Sequence, residues 1–115
     1  KSTLNYDVHY VYQDSDGVVT GFDTSGHAGY AKQGEDIICA AISALVINAV
    51  NSIEEFTEDA FKVDVDRENG GIVFRLEAKP SKEAALLLNS LILGLQRMED
   101  EEENRQYIDV IFEEV

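Results

Sequence analysis

Residues Leu4 to Gln13 alternate. Leu4, Tyr6, Val8, Tyr10 and Tyr12 fall on one side and Asn5, Asp7, His9 and Gln13 largely on the other, the period of a half-buried strand. Asp14-Ser15-Asp16-Gly17 supplies turn chemistry, and Val18 to Thr24 returns as a second strand. A loop over Ser25 to Glu35, with glycines at 26, 29 and 34, comes next. Then the period changes. Asp36 serves as N-cap, and from Ile37 onward Ile38, Ala41, Ile42, Leu45, Ala49, Ile53 and Phe56 recur at helical spacing. Little of that early circumference is polar, which predicts a mostly buried helix.

Alternation resumes over Phe61 to Arg67, where Val63 and Val65 stand against Lys62, Asp64 and Asp66. Glu68-Asn69-Gly70-Gly71 holds the Asn-Gly hairpin signal and leads into a strand over Ile72 to Ala78. Pro80-Ser81 stops that strand and opens a second helix, whose apolar stripe is Leu87, Leu88, Leu91, Leu95 and Met98. Glu99 to Glu103 reads as an acidic helix end or loop, and Tyr107 to Val115 as a last strand. The order is β-β-α-β-β-α-β. Hairpins imply antiparallel pairing, so the fold class is α+β: one domain over residues 1–115, a mainly antiparallel sheet with two helices packed on it.

Composition narrows the function. The 115 residues suit a single domain, and a hydrophobic fraction of 44% argues against disorder. The most apolar run, Ile37 to Val50, is read as too short to cross a bilayer and is interrupted by Ser43 and Asn48, so no membrane partner is expected. No secretion signal is read at the start. One cysteine cannot form an intrachain disulfide, which fits a reducing cytoplasm. Net charge is −14, from 23 acids and 9 bases, which speaks against direct nucleic-acid binding; it is compatible with a cationic partner, and the plainer reading is that acidity keeps the protein in solution. One Cys and two His leave too few ligands for a zinc site, and no metal or cofactor is expected. Apolar helix faces beside a terminal strand that needs a partner suggest a homodimer.

The chemistry concentrates in Ser25 to Val50. With Asp36 as N-cap, Cys39 falls in the first helical turn, where unpaired N–H groups and the helix dipole favour an anion. Such a thiol has a lowered pKa, and the thiolate is the nucleophile. His27 lies twelve residues earlier, close enough in a folded-back loop to hold the thiolate and to protonate a leaving amine. Gly26 and Gly34 let the intervening backbone approach a substrate chain. Ser43 sits one turn after Cys39 on the same face, although a serine there also bonds readily to a carbonyl one turn back. Residue types and spacing leave two readings open: a small buried hydrophobe beside a structural histidine, or a nucleophile beside its acid–base partner. His9, on the polar side of the first strand, is read as having no role.

The run "GHA", a short glycine-containing loop and then "GEDIICAAISAL" resembles the G-H-A…G-x-D-I-V-C-A-x-x-S signature of the bacterial ribosomal-processing cysteine protease family, Prp. The layout of the other elements is similar over nearly the whole chain. This resemblance implies a cysteine endopeptidase that removes the N-terminal extension of a basic substrate, the precursor of large-subunit ribosomal protein twenty-seven. Carried over by motif, Cys39 is the nucleophile and His27 its acid–base partner. Asp36 would then cap the helix, hold the loop and orient His27, with Ser43 also in the signature. The resemblance implies homodimers as well. Two other classes compete: a non-catalytic ribosome-assembly binding module, and another thiol enzyme such as an acyltransferase or redox sensor.

Overall fold

The structure is a computed structural model that describes residues 7–25, 33–66, 71–105 and 107–115. The predicted order holds, as β1 (Asp7–Gln13), β2 (Val19–Thr24), α1 (Gln33–Phe56), β3 (Phe61–Val65), β4 (Ile72–Leu76), α2 (Lys82–Asp100) and β5 (Ile108–Glu114). The five strands form one sheet in the order β3-β4-β2-β1-β5. The sheet is mixed. Its β1–β2, β2–β4 and β3–β4 pairings are antiparallel, while β5 runs parallel to β1 with His9 beside Val110.

Local chemistry accounts for the joints. Gly17 takes φ 79, and the Asp14 carboxylate accepts from the amides of Asp16 (2.8 Å) and Val18 (3.0 Å), closing the first hairpin. The Asn69-Gly70 signal lies outside the described residues, but the flanking Asp66 amide donates to Gly71 O at 2.8 Å. Ser81 caps α2, its hydroxyl accepting from the Ala84 amide at 3.1 Å, and it is itself bonded to the Asp59 carboxylate. That contact joins the α1–β3 connection to the start of α2.

Both helices lie on one face of the sheet, and handedness explains why. The crossover β2–α1–β3 moves one way across the sheet and β4–α2–β5 the other, from strands of opposite direction. Two right-handed crossovers of this kind place their helices on the same side. The core between the layers holds Val11, Phe22, Ile72, Phe74 and Ile108 from the sheet. Ile38, Ile42, Val46, Ala49 and Ile53 join it from α1, with Leu88, Leu91 and Leu95 from α2.

Three expectations are corrected. In β1 the inward residues are His9 and Val11, each 1% exposed, whereas Tyr10 and Tyr12 lie half-buried on the outer face. There the Tyr12 hydroxyl reaches Asp23 at 2.7 Å and its ring lies 4.4 Å from the Arg75 guanidinium carbon. Tyrosine counts as apolar in a pattern but needs a partner for its hydroxyl, so the pattern chose the wrong face. Second, α1 is only half buried: Ile37, Leu45, Ile47 and Phe56 are exposed. Third, its Ile37–Phe56 stretch is by length and composition enough to cross a membrane. One face of that stretch is nevertheless built into the core of the domain, as a core helix requires.

Candidate active site

The candidate site gathers where β2 ends and α1 begins. Ser25, directly after β2, fastens this end of the sheet: its hydroxyl donates to Val8 O at 2.9 Å and accepts from the Val8 amide at 3.1 Å. Gly26 and His27 follow it in the chain and lie outside the described residues, so the geometry between His27 and Cys39 is not described. Gly34 and Asp36 belong to the first turn of α1 by their backbone; the Asp36 side chain lies outside the described part.

The helix starts earlier than its sequence suggests. Because α1 begins at Gln33, Asp36 is inside the helix and is not its N-cap. Cys39 is the seventh residue, in the second turn, roughly 9 Å along the axis from the start. Its own amide is within the helical ladder, and the dipole effect falls off within the first turn. The unpaired amides expected directly beneath the sulfur are therefore a turn upstream. Helical side chains tilt toward the N-terminus, which brings the sulfur part of the way back.

Cys39 and Ser43 are both half-buried. At 3.6 residues per turn they share the flank of α1 that also carries Ile47 and Val50. Those two, with Asn51, face Val63, Val65 and Ile72 across an apolar groove between the helix and the β3–β4 edge. The thiol thus stands on a helix flank that continues into a groove.

His9 faces the interior and not the polar side that its sequence context suggests. It is buried, neither ring nitrogen has a hydrogen-bond partner among the described residues, and burial lowers its pKa to about 4 against an opposing effect of Asp109. Its strand register sets it beside Thr24, the residue before Ser25. On the outer face, Asp23 pairs with Arg75 at 2.7 Å. Partial burial pushes the Asp23 carboxyl up, but the hydrogen bonds from Arg75 and Tyr12 outweigh it and hold the pKa below the usual value. Among the described residues no group of three or more His, Cys, Asp and Glu could hold a metal ion.

Residues 8–109 match the family Cysteine protease Prp. The chain belongs to the Prp family of cysteine proteases. The Ribosomal processing cysteine protease Prp of Staphylococcus aureus is 32% identical over 88 residues, covering 76% of this chain and 83% of the relative. A solved structure of the essential S. aureus Prp in complex with a substrate peptide superposes with TM-score 0.86 at 26% identity, covering 93% of this chain and 99% of that one. A second, with a covalently linked product peptide, gives TM-score 0.80 at 29% identity and the same coverage. Like other Prp proteins, this chain is a cysteine protease, with its single thiol on the second turn of a helix that packs against a five-stranded sheet.

Proposed function

We propose that this protease removes the N-terminal extension of the precursor of large-subunit ribosomal protein twenty-seven in the cytoplasm, working as a homodimer, with Cys39 as nucleophile and His27 as its acid–base partner. The family match carries this reading, since the chain has one cysteine and it falls inside the matched residues. The S. aureus relative with a covalently linked product peptide supports covalent catalysis.

The chemistry runs as acyl transfer. The Cys39 thiolate attacks the scissile carbonyl carbon, and the C=O electron pair moves to oxygen. Collapse of that adduct breaks the C–N bond while His27 gives its proton to the leaving amine. Water then attacks the thioester as His27 takes its proton; release of the carboxylate product regenerates the thiolate–imidazolium pair. With Cys39 beyond the first turn, the proposed imidazolium of His27 adds charge stabilisation that the helix dipole supplies less strongly there. Backbone amides of the first turn of α1, which a helix leaves without intrahelical partners, are candidate donors for the oxyanion.

Incubation with a peptide spanning the extension, followed by mass measurement, tests the reading. The wild type yields two product masses, and Cys39→Ala yields none while keeping its circular dichroism spectrum. An intact peptide after incubation with the reduced wild type would refute the assignment, and stable binding of uncut peptide would favour a non-catalytic binding module.

A further inference from the structure

Building on the substrate proposed above, we propose that the sheet face turned away from the helices, on its β1–β5 side, docks a Lys- and Arg-rich part of the substrate protein outside its extension. Among the described residues both helices lie on the other face, and the strand register lays out what this one presents. One row across the five strands reads Lys62, Arg75, Gly21, Tyr12 and Glu113. The next reads Asp64, Val73, Asp23, Tyr10 and Ile111. A third, at the end where β5 begins, sets Val8 beside Asp109.

A sheet face open to water ordinarily carries polar side chains. Here Val8, Tyr10 and Ile111 adjoin one another, each half-buried, and Val73 beyond Asp23 is 41% exposed. Apolar surface with a polar rim marks an interaction site, and the rim supplies the sign. Towards β3 the charges are mixed: Arg75 is spent on Asp23 at 2.7 Å, and Lys62 stands two residues from Asp64. Towards β5 the outward charges are Asp109 and Glu113, and neither β1 nor β5 holds a Lys or Arg. Tyr12 feels that side of the face. Its hydrogen bond to Asp23 raises its pKa most, and Glu113 adds to the shift.

Lys and Arg side chains are apolar along the stem and charged at the head, which is the chemistry this surface complements. The stem covers Tyr10 and Ile111 while the head meets Asp109 or Glu113, and an aromatic ring beside carboxylates attracts a cation through its own face. An acidic partner would meet acid here. Position fits too. Val8, in the row nearest the candidate site, bonds through its backbone to Ser25, the residue that precedes Gly26 and His27. β2 ends and β5 begins at this same end of the sheet. Packed layers lie roughly 10 Å apart, so about three extended residues carry a chain from one side of the sheet to the other. The body of a basic protein held on this face thus leaves its extension within reach of the thiol.

The probe is the mature ribosomal protein, without its extension. Titrated into Cys39→Ala protein, it binds, and Ile111→Lys/Glu113→Lys on that background weakens binding about tenfold or more. This measurement needs no proteolysis, so a failure of docking is told apart from a failure of the proposed cleavage, which an uncut extension peptide would show. In the active enzyme the same double change raises KM for the full-length precursor about tenfold, keeps kcat, and leaves cleavage of a short extension peptide as it was. Glu54→Lys/Glu55→Lys, at exposed positions of α1, changes the net charge further and alters precursor KM less than about twofold. Absence of binding by the mature protein overturns the surface. Equal losses in the two double variants would reduce the effect to overall charge and overturn it as well. A parallel loss of peptide cleavage would assign Ile111 and Glu113 to the fold or the cleavage site instead. Halving of the mass in solution by Ile111→Lys/Glu113→Lys would give the face to a second copy, and the proposal falls.

Discussion

A buried imidazole makes stability depend on pH, and the sign follows from linkage. Burial lowers the pKa of His9 to about 4 in the fold, against an ordinary 6.5 in the unfolded chain. Between those values the unfolded state binds the extra proton, so stability is intact above pH 6.5, falls as pH drops, and levels near pH 4. The full loss is about 3 kcal/mol. His9→Leu removes this term, and the difference in urea midpoint between variant and wild type should widen steadily from pH 7 to pH 4.5. A parallel pair of curves would contradict it. Residue-level sequence reading singled out Cys39 and His27, of which only Cys39 lies among the described residues, and it misplaced His9 because three tyrosines mimicked an apolar face. Counting side chains as polar or apolar carries no information on which hydroxyls find partners; the Tyr12–Asp23–Arg75 contact, made between three strands, decides it.

At the scale of elements, the best-read helix is α2, where Pro80 and Ser81 mark the start and Leu88, Leu91 and Leu95 the buried stripe. Ser81→Ala removes the cap to Ala84 and the bond to Asp59, and should lower stability by about 1–2 kcal/mol in thermal or urea unfolding. Gly21 is less visible in the sequence and more constrained in the sheet. A Cβ there would lie 2.5 Å from Phe74 O and 3.0 Å from Arg75 Cδ. Gly21→Ala should therefore displace β4 and cost about 1–3 kcal/mol, measured the same way. The start of α1 was not legible because Gly34 reads as loop, yet the backbone is helical from Gln33. That shift of four residues moves Cys39 out of the first turn, where the dipole effect is strongest. The parallel placement of β5 was also out of reach, since hairpin signals speak only of neighbours in sequence and β5 pairs with the first strand.

For the whole molecule, charge and one sulfur carry the account. A net charge of −14 should draw a basic precursor by steering, so kcat/KM for the full-length precursor should fall as salt rises, while a short neutral peptide shows little change. A flat salt profile for the precursor would exclude steering. The central claim is that Cys39 reacts as a thiolate held by His27. Its most direct test is the rate of Cys39 alkylation by iodoacetamide against pH, followed by intact mass, in wild type and His27→Ala. The account predicts a wild-type thiol that still alkylates rapidly below pH 7, and a variant whose profile moves up to that of an ordinary thiol, near pH 8.5. Superimposed profiles, both rising only near that ordinary value, would contradict it.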